Sequence, residues 1–275
     1  MKKDSLGDRM KQYEGVPKTN LMRRNPVIIR IDGKAFHTFT RGFERPFDDI
    51  LIESMQETMK YLCENIQNVK FSYCQSDEIS LLLTDYENIN TAAWFDYQVQ
   101  KMCSIAASMA TLAFNRIFGN KVKSIYGELF DADPFDEIEE NYSDYVFTLY
   151  KAYEKGAMFD ARCFSIPKEE VCNYFIWRQQ DATRNSIQMV GQANFSHKEL
   201  QNKSCDNIQD MLMTQKNINW NDFDTVKKRG SCCTKTGVHT VVNMQTGEQV
   251  ERLIWEIDKD IPIFTQDRNY IERFI

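Results

Sequence analysis

The stretch Val69 to Leu83, VKFSYCQSDEISLLL, decides the fold. Two runs of apolar, aromatic and β-branched residues flank the polar centre Gln75-Ser76-Asp77-Glu78. This pattern predicts a β-hairpin that turns at the polar centre. Further upstream, Val27 to Ile31 (VIIRI) follows Pro26 and ends at the turn pair Asp32-Gly33, which predicts a buried strand.

Two helices are predicted, one on each side of the hairpin, because apolar residues recur there at three- and four-residue steps. The first begins near Asp48, and its apolar stripe consists of Leu51, Met55, Met59, Leu62 and Ile66. The second spans about Thr91 to Phe118, and its predicted buried face consists of Phe95, Val99, Met102, Ala106, Met109, Ala113 and Ile117. Ala157 to Ile166 (AMFDARCFSI) then predicts a strand, and Pro167 with Glu169 and Glu170 predicts the start of another helix.

The element order is strand, helix, strand, strand, helix, strand, which is the ferredoxin-like arrangement. We therefore predict an α+β fold for residues 1–183. In this palm-like βαββαβ domain both helices lie on one face of an antiparallel sheet, and the other face is left free for a substrate. Residues 184–275 are predicted to form an α/β extension that packs on the palm. A helix over Asn207 to Lys216 and a hairpin turning at Thr246-Gly247 are expected there.

The composition argues against a membrane-spanning or secreted protein, but it does not indicate a function. The 275 residues contain no apolar run long enough to cross a membrane, and the first fifteen lack the apolar segment of a secretory signal. Eight cysteines without such a signal indicate reduced thiols in a cytoplasmic protein. The net charge of −6 is uneven, because eight acidic residues and no basic one lie between Glu128 and Asp144. We interpret that segment as a solvated insertion.

Asp32 and Asp77 are the candidate metal ligands. One ends the first strand and the other lies at the hairpin turn, and these strands are neighbours in a ferredoxin-like sheet, so both carboxylates are expected at one edge. With the carbonyl of Gly33 they supply the hard oxygen ligands that magnesium prefers. Two such ions, about 3.5–4 Å apart, would hold the attacking and leaving oxygens of a phosphoryl transfer. The alternative is that both aspartates belong to ordinary turns, where this residue type is common.

Four segments carry a family resemblance. RIDGKAFHTFT (Arg30 to Thr40) and YCQSDEISLLL (Tyr73 to Leu83) closely resemble the two signature segments of the tRNA-histidine guanylyltransferase family, whose members are 3′-to-5′ nucleotide-adding polymerases. FDARCFSIP (Phe159 to Pro167) and WRQQDATRNS (Trp177 to Ser186) are similar to its third and fourth segments. The resemblance covers most of residues 1–190, with the four segments in the family's order.

The resemblance implies specific roles at matching positions. The implied metal ligands are Asp32, the carbonyl of Gly33, and Asp77, and Glu78 joins the two aspartates as a catalytic residue. The implied nucleotide-binding residues are Asp32, Gly33, Lys34, Ala35, Phe36, His37, Arg45, Ser76, Asp77 and Lys101. Arg45 replaces the family's usual lysine, which keeps the charge but alters the hydrogen-bonding geometry. His37 is either a general base or a packing residue.

Candidate contacts to tRNA are basic or amide side chains outside the two signature segments. They are Arg162, Arg184, Asn185, Lys227, Lys228 and Arg229. A structural ion pair with Asp160 explains Arg162 equally well, and a solvated loop explains the three consecutive basic residues. Members that act on tRNA-histidine usually carry a His-Ile-Asn-Asn run where this chain has Thr183 to Ser186, TRNS. This departure and the sequence that follows it resemble the bacterial-type branch.

The resemblance to that branch implies a template-dependent 3′-5′ nucleotidyltransferase that repairs the 5′ end of truncated tRNA. It implies two magnesium ions, activation by ATP or a 5′-triphosphate, and ATP, GTP and other nucleoside triphosphates as substrates. It also implies that tRNA is the partner, that the chain forms a homo-oligomer, specifically a tetramer, and that residues 184–275 serve tRNA binding or oligomerisation. The alternatives are a guanylyltransferase that adds G at position −1, a nucleotide cyclase, and a non-catalytic RNA-binding module. In such a module, Phe71 and Tyr73 would stack on bases.

Overall fold

The structure, a computed structural model, describes residues 5–131, 140–242 and 249–275, without the side chains of 128–131, 140–143, 241–242 and 250. Its strands are β1 (Val27–Gly33), β2 (Val69–Gln75), β3 (Glu78–Leu83), β4 (Phe159–Ser165), β5 (Ser231–Val242) and β6 (Gln249–Asp258). Its helices are α1 (Ser5–Gly15), α2 (Phe36–Phe39), α3 (Asp49–Asn65), α4 (Val99–Asp131), α5 (Glu140–Lys155), α6 (Val171–Asn194), α7 (His197–Leu200), α8 (Cys205–Lys216), α9 (Thr225–Arg229) and α10 (Asn269–Glu272).

The six strands form one antiparallel sheet in the order β4-β1-β3-β2-β5-β6. The first four strands and the helices α3 and α4 between them follow the predicted βαββαβ order, so the α+β palm is confirmed. The predicted hairpin is also confirmed, because β2 and β3 are joined by Ser76 and Asp77 alone. Strand β5 pairs with β2, which means that the C-terminal part of the chain extends the sheet of the palm.

The face of the sheet toward α3 and α4 holds the main hydrophobic core. Alternate β1 residues, including Ile29 and Ile31, are fully buried there against Met55 and Met59 of α3 and Phe114 of α4. Helix α3 begins where its pattern predicted, because the Asp48 side chain accepts a hydrogen bond from the Leu51 amide at 2.9 Å and so caps the helix. The burial of these apolar residues fixes α3 and α4 on the same face of the sheet.

The opposite face is covered along most of its length, in contrast to our expectation of a free face. Ile28 and Leu82 are fully buried in a second core, which α6 completes with Phe175. Phe71 and Tyr73 belong to the same core and are buried, so they are not the exposed stacking residues of an RNA-binding module. The sheet had to be covered because its residues on this side are also apolar.

The second long helix begins later than its periodicity predicted. Trp94–Tyr97 is a short 3-10 turn in which Phe95 and Asp96 have positive φ angles of 49° and 51°, so the α-helix starts only at Val99. Phe95 is consequently 36 % exposed instead of lying on the buried face. The fully buried residues of α4 also include Ala110, Phe114 and Phe118, which the predicted stripe omitted. A left-handed turn resets the helical register, and apolar spacing alone does not reveal one.

The predicted domain boundary, between residues 183 and 184, lies within the continuous helix α6. The division into a palm and an extension therefore stays a prediction about function, with no break of the chain at that point. The predicted helix near Asn207 is present as α8. The hairpin turn at Thr246-Gly247 and most of the acidic segment lie outside the described residues. No described helix is long and apolar enough to span a membrane.

Candidate active site

Asp32 and Asp77 meet at one edge of the sheet. Asp32 is the last residue but one of β1 and lies directly opposite Glu78, the first residue of β3. The amide of Gly33 donates a hydrogen bond to the carbonyl oxygen of Asp77 at 3.1 Å, which joins the end of β1 to the hairpin turn. Ser76 adopts a left-handed conformation with φ 49°, so the turn closes in two residues. The sheet register thus brings together the two aspartates that the sequence predicted as a pair.

The environment of Asp77 disfavours the negative charge of its carboxylate. Burial raises the pKa of Asp77, and the nearby negative charge of Asp32 raises it further. The Ser76 hydroxyl donates to Asp77 Oδ1 at 3.0 Å, which opposes this shift only in part. No described lysine, arginine or histidine forms an ion pair with Asp77. Two close acids with one uncompensated carboxylate are an arrangement that a bound cation would stabilise.

A cavity of about 650 Å³ opens next to this edge. Seven of the predicted nucleotide-binding residues line it, namely Gly33, Ala35, Phe36, His37, Arg45, Ser76 and Asp77. Lys34 is not among its lining residues, and its amide donates to the Met158 carbonyl at 2.8 Å. Gly33 is required by space, because a Cβ atom at this position would lie 2.2 Å from the Phe36 ring. The cavity is of the size that cofactor and nucleotide sites have.

Glu78 points away from the cavity, toward α6. Its carboxylate is buried and accepts two hydrogen bonds from Arg178, each 2.7 Å long. Burial raises the pKa of Glu78 although Arg178 and Arg30 oppose the shift. Burial also disfavours the charge of Arg178, but the attraction of Glu78 outweighs it and raises the pKa of the guanidinium. Because both carboxylate oxygens are engaged in this bidentate pair, the geometry contradicts direct catalysis by Glu78 and gives it a positioning role.

Arg178 is a functional candidate that the sequence did not single out. Its Nη2 atom also donates to Asp181 Oδ2 at 3.0 Å, and Asp181 in turn pairs with Arg184 and accepts from Asn185 at 3.4 Å. This network connects the sheet edge to the exposed side of α6. A signal for Arg178 was present in the sequence, because its spacing puts an arginine on the buried face of an amphipathic helix. A charge in such a position requires a partner.

Arg162, on strand β4, lies beside Asp32. Strand β4 pairs with β1 so that Asp160 is opposite Asp32 and Arg162 is opposite Arg30. Arg162 Nη2 is 3.2 Å from Asp160 Oδ1 and 3.9 Å from Asp32 Oδ2. The ion pair that we considered as an alternative is therefore present, and the half-exposed Arg162 remains accessible to a substrate.

Lys101 is not brought to this site within its own chain. It lies in the first turn of α4, and its ammonium group is 4.8 Å from the centre of the Phe95 ring. The helix reaches the level of the site only at Thr111, which accepts a hydrogen bond from the amide of Phe159, the partner of Gly33. Ten residues of α-helix separate Lys101 from Thr111, which is about 15 Å. Lys101 is also not among the residues that line the cavity, and its contact with the nucleotide stays a prediction.

The three consecutive basic residues form the C-terminal end of α9. Lys227 pairs with Asp49 at 2.9 Å, and Lys228 donates to the Asn221 carbonyl at 2.5 Å. The carbonyl of Arg229 accepts a hydrogen bond from the Tyr73 hydroxyl at 2.7 Å, which fixes this backbone beside β2. All three side chains are half-buried, so the two lysines hold the fold together as much as they offer charge to a substrate.

Among the described residues, no three histidine, cysteine, aspartate or glutamate side chains come together as a metal cluster. A cation at the sheet edge would depend on Asp32, Asp77 and a backbone carbonyl. An antiparallel βαββαβ palm that presents two aspartates at the end of its central strands, beside a cavity of nucleotide size, is the architecture of a palm-type nucleotidyltransferase.

Comparison with known proteins identifies the family. The model for the family described as tRNAHis guanylyltransferase matches residues 7–167. The chain therefore belongs to the tRNAHis guanylyltransferase family, and it is a nucleotidyltransferase.

Solved structures of relatives share the whole fold. A bacterial tRNA(His) guanylyltransferase-like protein in complex with ATP is 43 % identical, with a TM-score of 0.77, and the match covers 98 % of this chain and 99 % of that one. A bacterial protein of the same description in complex with GTP is 39 % identical, with a TM-score of 0.72 and the same coverage. The tRNA(His) guanylyltransferase of Saccharomyces cerevisiae is 23 % identical over 241 residues, which are 82 % of this chain and 90 % of the yeast protein.

Proposed function

We propose that this enzyme adds nucleotides in the 3′-5′ direction to the 5′ end of truncated tRNA, with the opposite RNA strand as the template. The convergence of Asp32 and Asp77 beside the cavity carries this proposal. Carboxylates at the end of a sheet are suited to a phosphoryl transfer, in which catalysis consists mostly of positioning and charge stabilisation. A module that only bound RNA would gain nothing from two adjacent acids at this edge, of which Asp77 has no cationic partner among the described residues, since carboxylates repel phosphate.

Nucleoside triphosphates are the proposed occupants of the cavity. Arg45 supplies a positive charge on its wall, and the backbone from Gly33 to Phe36 turns sharply there because Ala35 is left-handed with φ 52°. The ATP and GTP complexes of the bacterial relatives support a site that accepts more than one base. A repair enzyme requires such tolerance, because the template strand selects each base by pairing.

Two magnesium ions are the proposed cofactors, and the residues present fit them. Asp32, Asp77 and the carbonyl of Gly33 are hard oxygen donors, and the raised pKa of Asp77 indicates a site that lacks positive charge. When bound, the ions supply Lewis-acid activation of a hydroxyl and stabilise the leaving group. The chain's own contribution is to hold both carboxylates at one edge through the pairing of β1 with β3.

The reaction forms one bond and breaks one bond at the RNA 5′ phosphorus. The 3′-hydroxyl oxygen of the incoming nucleotide attacks this phosphorus and loses its proton. The departing group is pyrophosphate when the RNA carries a 5′-triphosphate, and AMP when ATP has first adenylylated the 5′ phosphate. The 5′-triphosphate of the added nucleotide remains on the new RNA end. Arg162, which lies next to Asp32, is a proposed contact to an RNA phosphate.

The substrate preference rests on the stretch Thr183 to Ser186, where the His-Ile-Asn-Asn run of the tRNA-histidine branch is absent. Arg184 and Asn185 in this stretch are exposed on α6 and are proposed contacts to the RNA backbone. Arg229 is a further proposed contact, with Lys227 and Lys228 beside it. We also propose that residues 184–275 contribute to tRNA binding or to a homo-oligomer, and that the enzyme acts in the cytoplasm.

A second candidate is the addition of G at position −1 of tRNA-histidine. Membership of the tRNAHis guanylyltransferase family supports it. The two functions share the metal-binding aspartates and the nucleotide cavity, and they differ in the RNA end that is recognised and in the use of a template.

One assay separates the two candidates. A tRNA without its first 5′ nucleotide and an intact tRNA-histidine are each incubated with the enzyme, ATP, magnesium and the four nucleoside triphosphates. Extension of the truncated tRNA by the complementary base supports repair, and exclusive addition of G to the intact tRNA supports the second candidate. Asp77→Ala is expected to abolish either activity. Asp8→Ala, at an exposed position on α1, is the matched control and is expected to behave as the wild type.

A further inference from the structure

Trp177 is a large aromatic residue that the proposed function does not yet use. It lies on α6, and it is 50 % exposed, although most tryptophan side chains in folded proteins are largely buried. It belongs to the face of the helix on which Asp181 and Arg184 also lie, four and seven residues further on. Arg178, the next residue on the helix, pairs with Glu78, which is the strand partner of Asp32.

The position of the indole ring is fixed by two neighbouring side chains on α6. The guanidinium carbon of Arg178 lies 4.5 Å from the centre of the ring, and Tyr174 meets the ring edge-on at 5.9 Å between centres. Arg178 is itself fixed by its two hydrogen bonds to Glu78. Tyr174 is fixed by a 2.7 Å hydrogen bond with Ser80. An aromatic surface whose position is already determined loses little entropy when a ligand stacks on it.

A chain of contacts connects the ring to the proposed site of reaction. Arg178 contacts it on one side and Glu78 on the other, and Glu78 is the direct strand partner of Asp32. Two half-exposed arginines are near this face, Arg162 beside Asp32 and Arg184 two turns along the helix. Aromatic rings with neighbouring arginines bind nucleic acid through base stacking and phosphate contacts.

We propose that Trp177 is a stacking platform for the terminal base pair of the RNA acceptor end. This inference rests on the proposed function and names the part of the enzyme that holds the RNA while its 5′ phosphorus lies at Asp32. Stacking suits an enzyme that extends many ends, because every base has a π-face and none is preferred by hydrogen bonding. Arg178 is then a positioning residue, which fixes the ring without contacting the RNA.

The test uses Trp177→Ala and Trp177→Phe in the full chain, with a truncated tRNA that already carries a 5′-triphosphate. KM and kcat are measured separately for the RNA and for the incoming nucleotide. We expect the alanine variant to raise the KM for RNA about 5- to 150-fold, the range that corresponds to loss of one base–aromatic stack. The KM for the nucleotide is expected to stay unchanged. The phenylalanine variant, which keeps a π-face, is expected within about threefold of the wild type.

A second arm removes the base instead of the tryptophan. An RNA whose 5′-terminal nucleotide is abasic is expected to bind the wild type weakly, and Trp177→Ala is expected to add no further loss. The matched protein control is Tyr13→Ala on α1, which removes an aromatic side chain that is 67 % exposed and remote from the site.

Four results would overturn the inference. They are an unchanged KM for RNA in Trp177→Ala, an increase in the KM for the nucleotide instead, a changed oligomeric state, and equal losses in both variants with a lower Tm. The third result would assign the ring to a contact between copies of this chain, and the last would make it a structural residue. Failure of the proposed function has a different signature, since the wild-type enzyme would then not extend the truncated RNA at all.

Discussion

Gly33 donates its backbone amide to the carbonyl oxygen of Asp77, over 3.1 Å, and this single hydrogen bond ties the end of β1 to the turn between β2 and β3. The register between β1 and β3 fixes the position of Asp32 in addition, because it sets this residue directly opposite Glu78. The two candidate ligands are separated by more than forty residues in sequence, yet they share one edge. Backbone pairing, rather than side-chain contacts, therefore fixes the geometry of the site, and the side chains remain available for chemistry.

Asp77 is expected to reduce the stability of the fold at neutral pH when no metal is bound. Burial raises its pKa in the folded state above that in the unfolded chain, so the ionised carboxylate costs stability above the folded-state pKa. Asp77→Asn, which keeps the shape but removes the charge, is expected to raise Tm at pH 7.5 without magnesium. The gain should shrink as the pH is lowered through the folded-state pKa, because the wild-type carboxyl then becomes neutral too. Equal Tm values for both proteins at pH 7.5 would show that this carboxylate is not desolvated.

Magnesium is expected to reverse the order of those stabilities. A ligand that binds only the folded state stabilises it by about 2.7 kcal/mol at one hundred times its Kd. For a chain of this size that corresponds to a rise in Tm of roughly 5–10 °C. Thermal melting with and without magnesium should show this shift for the wild type and for Asp8→Asn. Asp32→Asn and Asp77→Asn should each lose it. A shift that persists in both site variants would place the cation elsewhere.

The Glu78–Arg178 pair is expected to behave as a buried ion pair. Arg178→Met leaves a carboxylate that is only 7 % exposed without its main partner. We expect a loss of about 3 kcal/mol in the free energy of unfolding, the low end of the range for such changes. The loss stays at the low end because Arg30 remains 3.9 Å from Glu78.

Chemical denaturation of three variants checks this prediction. The double variant Glu78→Met with Arg178→Met is expected to be more stable than Arg178→Met alone, since no unpaired charge is left. Arg268→Met breaks an exposed pair with Glu272 and should cost less than about 1 kcal/mol. If Arg178→Met costs no more than this surface control, the buried pair is not what anchors α6 to the sheet.

Much of the palm could be predicted because its signals are local. Each strand is a short apolar run bounded by turn residues, and the hairpin turn at Ser76 and Asp77 is the only polar interruption between two such runs. The convergence of Asp32 and Asp77 followed from the known neighbours in a βαββαβ sheet. Residues near these signals, such as Gly33 and His37, were placed correctly at the cavity for the same reason.

The predictions failed where the deciding feature is a contact between residues far apart in the sequence or a local backbone conformation. The family resemblance implied a catalytic role for Glu78, but its partner Arg178 is one hundred residues away and only packing shows that they meet. Phe95 was assigned to a buried helical face because a left-handed turn leaves no mark in apolar spacing. The free face of the sheet was covered by α6 and C-terminal residues, whose docking no local pattern indicates.

Lys101 yields a prediction about assembly. The family resemblance implies that this lysine serves the substrate phosphates, yet it lies about 15 Å along α4 from the level of its own site. Both statements hold if Lys101 contributes to the site of a second copy of the chain.

Lys101→Ala and Asp77→Asn are then each expected to be inactive alone. Mixed in equal amounts and allowed to exchange subunits, they should regain about a quarter of wild-type activity, because half of the dimers are mixed and each contains one intact site. Activity of the mixture is compared with that of each variant alone, and Asp8→Ala mixed with Asp77→Asn measures the effect of dilution. An inactive mixture of two variants that demonstrably co-assemble would refute a shared site, and full activity of Lys101→Ala alone would remove this lysine from the reaction altogether.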